Sequence, residues 1–196
     1  MAENCPPCLE DMNRPDDSCG AGSGVVRILY GLKNDVLTWP AKKSAETRTL
    51  LSDHVNTTVS NLVMKTGKRM FEFQSKKASA ELKYVGEGEE GSRSLKGSLE
   101  CYHPQLRDQL LGFATATQNQ ELVILAKTRK GDWHMLGNAD EGAVMENFDA
   151  TSGKATTDPN GATLMFSQPG LNAATIYKGE TESLLVVASE ASPSGV

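Results

Sequence analysis

Long apolar runs are missing from this 196-residue chain. The longest fall far short of the ~18 residues a helix needs to cross a bilayer. An excess of basic residues is missing too. Lys plus Arg number 20 against 25 Asp plus Glu, a formal charge of −5, so phosphate neutralisation cannot supply an affinity for nucleic acid. Aromatic residues are only 6% and do not interleave with basic ones, so no stacking platform for bases is expected. The 4 cysteines are too few and too unevenly placed for a disulfide framework. A GxSxG elbow, an HExxH pair and a phosphate-binding P-loop are all absent. His54, His103 and His134 are scattered without a partner at readable spacing, so no catalytic residue is assigned and no cofactor is expected. Residues 1–24 have neither a positive start nor an apolar centre, so a secretory leader is not expected and synthesis in a cytoplasm is.

What is present is an ordinary globular balance, 38% hydrophobic and 23% charged. Residues 1–24 place Pro6, Pro7 and Pro15 among Asp, Asn, Gly and Ser and read as an extended arm. Residues 189–196 read as a frayed tail. Residues 25–188 are expected to form a single β-rich domain.

Short strand-like runs dominate that domain. They are Val25–Tyr30, Thr58–Met64, Arg69–Gln74, Lys77–Val85, Ser94–Cys101, Glu121–Ala126, Trp133–Leu136, Ala143–Phe148, Ala162–Phe166, Ala173–Tyr177 and Ser183–Ala188. In Lys77–Val85, Ala78, Ala80, Leu82 and Tyr84 share one face, and Ser94–Cys101 repeats the period of two. Thr66-Gly67-Lys68 and Arg129–Asp132 read as hairpin turns. Asp158-Pro-Asn-Gly161 reads as a strong turn, since Pro fixes one dihedral and Gly accepts a positive one. One helix is expected over about 103–117, opened by Pro104, with Leu106, Leu110 and Phe113 in the core. Glu46–His54 is readable as a short helix or a strand. The pattern predicts a mainly β fold, an antiparallel sandwich or barrel with one flanking α-helix.

Two motifs invite chemistry. Cys5-Pro-Pro-Cys8 has redox spacing but lacks the preceding strand that a redox pair needs. Cys5, Cys8 and Cys19, with Cys101 or a histidine, could hold zinc, although no second closely spaced pair completes the set. A disulfide and free thiols are the other readings. Gly86-Glu-Gly-Glu-Glu-Gly91 has GxGxxG spacing, yet a strand pattern follows it and its glutamates repel phosphate, so it reads as an acidic hairpin loop.

The segment Glu121-Leu-Val-Ile-Leu-Ala-Lys-Thr-Arg-Lys-Gly-Asp-Trp133-His-Met-Leu-Gly137, followed by Thr151-Ser-Gly-Lys-Ala-Thr-Thr-Asp-Pro-Asn-Gly161-Ala-Thr-Leu-Met-Phe166, resembles major tail tube proteins of tailed bacteriophages of the kind that infect Bacteroidetes. The likeness covers residues 20–180 in order of elements and is close only over 121–166. It implies a virion structural subunit, not an enzyme, that closes into hexameric rings stacked as a channel for DNA ejection. Implied partners are the chain itself, tape-measure and other tail proteins, and genomic DNA passing without specific binding; no membrane partner is implied. On this reading Glu87, Glu89, Glu90, Asp158 and Asn160 are lumen or inter-ring contacts. A tail terminator or head-decoration protein is one alternative. A small zinc- or thiol-binding protein built on Cys5, Cys8 and Cys19 is another.

Overall fold

The computed structural model describes residues 24–58, 60–155, 157–171 and 174–187. The expected arm up to residue 23, the tail 189–196 and the cysteines Cys5, Cys8 and Cys19 lie outside the described residues.

Alternation of apolar and polar residues builds two antiparallel sheets. One has five strands: β1 (Val25–Leu32), β4 (Phe71–Phe73), β7 (Leu122–Thr128), β8 (Trp133–Leu136) and β11 (Thr175–Tyr177), ordered β11-β8-β7-β1-β4. The other has four: β5 (Glu81–Glu87), β6 (Ser94–Pro104), β9 (Val144–Thr151) and β10 (Gly161–Leu171), ordered β5-β6-β10-β9. A small ribbon pairs β2 (Val36–Thr38) with β3 (Val63–Met64). The sheets face each other as a sandwich, and no barrel is closed.

Between the sheets lies the first core. Ile28, Ile124, Ala126 and Leu136 from one sheet meet Leu99, Cys101, Ala162, Leu164 and Phe166 from the other. The helix α1 (Asp108–Thr117) closes one side, burying Leu110, Ala114 and Thr117. Its Phe113 sits 5.0 Å, centroid to centroid, from Tyr30 and 5.4 Å from Phe73. Phe113 packs partly buried against this core and Leu110 enters it, as the helical spacing predicts; Leu106 also packs against it, although it precedes the helix.

The five-stranded sheet is buried on its second face as well. Leu29, Val123, Leu125, Met135 and Tyr177 pack there under Val36, Leu62, Met64, Met70 and Leu184. The continuous apolar run Leu122–Ala126, buried at every position, is what a strand covered on both faces requires. Tyr177 is 1% exposed, and its hydroxyl accepts from Leu62 N–H at 3.1 Å and donates to the Glu180 carbonyl at 3.0 Å. Trp39 and Trp133 flank this second core. Gly137 has φ +96°, and a Cβ there would stand 2.6 Å from the Leu122 carbonyl oxygen, so the chain leaving β8 has room only for glycine.

Five local readings change. The helix starts at Asp108 because His103 and Pro104 stay in β6, paired with Ala162 and Gly161; the chain turns at Gln105, φ 66°. Thr66-Gly67-Lys68 does not join a hairpin, since β3 pairs with β2 while β4 pairs with β1. Ala78 is exposed with φ 61°, so the alternation begins at Ala80. In place of the expected strand Ser183–Ala188, Glu182–Leu185 is a 3-10 turn that buries Leu184, and Ala188 lies outside the described residues. Glu46–His54 resolves into two short 3-10 turns, Ala45–Thr47 and Leu51–His54.

Candidate assembly surface

The two sheets treat their borders differently. At the β11 border, Ile176 N–H donates to the Val55 carbonyl at 2.8 Å, and Thr57 N–H donates back to the Ile176 carbonyl at 2.9 Å. Beside β4, Met70 N–H donates to the Leu184 carbonyl at 2.7 Å. The five-stranded sheet thus has three-residue edge strands tied to neighbouring segments. The four-stranded sheet ends on β5, 7 residues, and β9, 8 residues. Each pairs on one side only, β5 with β6 and β9 with β10, and among the described residues no other element bonds to their outer borders. A long unpaired border is a template for another strand.

Direction follows from the ladder. The β5–β6, β6–β10 and β10–β9 pairs are all antiparallel, so β5 and β9 run opposite ways. Rotating a second copy to bring its β5 beside β9 would therefore extend the same antiparallel sheet.

The outer face of this sheet carries more acidic than basic side chains, with Val85 and Val144 exposed at its borders. Leu82, Tyr84, Leu99 and Cys101 turn inward, so Glu81, Lys83, Glu87 and Glu100 turn outward with Asp149. Lys96 reaches across to Glu146 at 2.7 Å, and this bond holds the Lys96 ammonium above its ordinary range and the Glu146 carboxyl below it. Glu81 and Glu100 stand directly opposite each other, an arrangement that costs stability.

The residues named from the sequence separate to the two ends of this sheet. Glu87 pairs with Ser94 at one end, and the exposed tip beyond it carries Glu89 and Glu90. Gly88, φ +98°, makes the tip possible: a Cβ there would meet the Ser92 carbonyl oxygen at 2.6 Å. The strand β6 that follows confirms a hairpin rather than a strand-to-helix phosphate loop. At the other end, the Asp158 carboxylate accepts from Lys154 and Ala155 N–H at 2.9 and 2.8 Å, which holds its carboxyl below the usual range. Asn160 Oδ1 accepts from Leu106 N–H at 2.9 Å. Both side chains fix their own loop and the entry to α1.

Among the described residues the candidate chemical groups stand apart. Cys101 is a free thiol in the core, 0% exposed, pushed up to about 12 by burial; it cannot join a surface zinc set. Among the described residues no three His, Cys, Asp or Glu side chains gather to hold a metal. His134 Nδ1 lies 3.3 Å from the Tyr84 hydroxyl, a partner that sequence spacing cannot reveal; burial pushes Tyr84 up to about 12 and His134 down. The buried His103 Nδ1 has no hydrogen-bond partner, and its ring lies 5.5 Å from Phe73. The groove beside α1 joins His103 to Tyr30, Glu72, Phe73, Arg107 and Phe113, with no nucleophile beside a base.

Comparison with protein-family models, with curated proteins and with solved structures yields no match.

Proposed function

We propose that this chain is a self-assembling structural subunit of a phage tail tube, and that its four-stranded sheet is the segment that closes the tube. The observation that carries the reading is the pair of long free borders, β5 and β9, on a sheet whose opposite-running edges let identical copies join by rotation alone. Closure removes every such edge.

Six copies, the number implied by the resemblance, would bring about 24 strands together. At ~4.8 Å per strand and a tilt of about 40°, the closed sheet would be roughly 50 Å across. The outer face carrying Glu81, Glu100 and Asp149 would then line the channel, and like charge within ~8 Å weakens adhesion of passing phosphates. The five-stranded sheet, already tied at its borders, would form the outer wall. Placement of the virion, the tape-measure contact and the DNA passage belongs to the same proposal and rests on the resemblance.

The test is sedimentation and negative-stain imaging of the purified full chain. Rings or tubes with a central channel are expected, about 80–120 Å across for subunits of this size. Substituting Val85→Lys and Val144→Lys, both on the free borders and 40% and 39% exposed, is expected to leave a folded monomer. A wild-type chain that remains monomeric at every concentration overturns the proposal.

A further inference from the structure

Charged side chains cluster at both ends of β5. The β5–β6 hairpin end carries Glu87, Glu89 and Glu90. Glu121, Asp140 and Glu141 lie at that same end, where Leu122 bridges to Ala143 and Gly142 N–H donates to Glu121. Of these, Glu121 is held by Lys33 at 3.1 Å. Glu87, Glu89 and Glu90 have no salt bridge among the described residues.

At the opposite end of β5, beside Glu81 and Glu100, one groove gathers cations. There Val25 N–H donates to the Ala80 carbonyl, Lys76 N–H to the Tyr102 carbonyl and Arg129 N–H to the Gly24 carbonyl. These bonds gather three cationic side chains into one groove, lined by Val25, Val26, Lys76, Lys77, Ala78 and Arg129 with Ser75. Among the described residues no acidic side chain lines it. Lys76 reaches over the Tyr102 ring at 5.8 Å; among the described residues, Lys76, Lys77 and Arg129 have no salt bridge. Val26 adds an apolar floor that is 52% exposed.

We infer that the acidic β5–β6 hairpin tip of one copy docks into the cationic Lys76–Lys77–Arg129 groove of a second copy, joining subunits end to end. The argument is complementarity of number, charge and place. Among the described residues, Glu87, Glu89 and Glu90 at one end and Lys76, Lys77 and Arg129 at the other form no salt bridge, and β5 separates the two groups by about 23 Å. A contact between two different surfaces of one chain does not close on itself; it propagates. The inference rests on the tube reading, for which it supplies the ring-to-ring contact, distinct from the β5–β9 contact within a ring.

The test is charge reversal in the full chain, imaged and sedimented in ~50 mM and ~500 mM salt. Glu87, Glu89 and Glu90→Lys is expected to yield rings that do not stack, with end-to-end association weakened roughly tenfold or more. Lys76, Lys77 and Arg129→Glu is expected to do the same, and high salt to shorten wild-type stacks. Combining both reversals should restore stacking, which also shows that the variants fold. Rings that stack equally in the single-sided variants overturn this inference and leave the tube reading standing. So does a groove reversal that abolishes binding of a 30-base-pair duplex but spares stacking. A groove reversal that lowers the melting temperature without changing stacking assigns the groove to the chain's own acidic residues 1–23, and also overturns it. A wild type with no self-association overturns both.

Discussion

One sheet of this protein is finished and the other is not. The five-stranded sheet is covered on both faces, and its short border strands are tied to residues 55–57 and 184. The four-stranded sheet shares the inner core but, among the described residues, pairs nothing with its two long border strands β5 and β9. The difference teaches where stability and association reside. Substitutions in the first region should change folding; substitutions on the borders and outer face of the second should change assembly.

The largest expected effect is a core truncation in the finished sheet. Leu125 is 0% exposed, and Leu125→Ala should cost about 2–5 kcal/mol in denaturant unfolding. Leu110→Ala in α1, 4% exposed, should fall in the same range. By contrast Lys83→Ala, on the outer face, should stay within about 0.5 kcal/mol.

The next effect concerns the seam between the sheets. Gln168 in β10 is 1% exposed; its Oε1 accepts from Gly137 N–H at 2.6 Å and its Nε2 donates to the Glu141 carbonyl at 3.0 Å. Gln168→Leu leaves the Gly137 N–H unpaired, while the Glu141 carbonyl keeps the Asn138 N–H at 2.8 Å, and should cost about 1–3 kcal/mol in the same assay.

A smaller effect has the opposite sign. Glu100→Lys converts the facing pair with Glu81 into an attractive one and should stabilise the monomer by about 0.2–1 kcal/mol. If the acidic face serves the channel, the same change should increase retention of duplex DNA by assembled particles.

The last effect appears only as a pH dependence. Lys43 Nζ at 2.8 Å, with Thr49 and Leu50 N–H at 3.0 and 3.2 Å, holds the Asp53 carboxyl down to about 2. The folded value lies below the unfolded one, so the stabilisation is present above pH ~4 and is lost as pH falls through about 2. Melting curves of wild type and Asp53→Asn should differ most at pH 5, with the difference shrinking toward pH 2 and lost below it.

The β class, most strands and the helix are legible because alternation and 3.6-residue spacing are local signals. Leu82, Tyr84, Leu99 and Cys101 turn inward as their period of two demands. The helix start is misread because Pro104 suits a helix entrance and a strand end equally, and only β10, distant in sequence, decides. The candidate contacts were half legible. The acidic tip is one contiguous segment, but the groove joins Lys76 and Lys77 to Arg129 through pairings no window contains. Nor does any local pattern tell that residues 55–57 cap β11 while β5 and β9 stay open.

The most direct measurement of that openness is amide hydrogen exchange on the full chain, compared between dilute and concentrated solution. Slower exchange confined to β5 and β9, with β4 and β11 unchanged, is the result expected if the unfinished sheet closes on its siblings. Equal exchange at both concentrations in β5 and β9, or new protection at β4 instead, would contradict it.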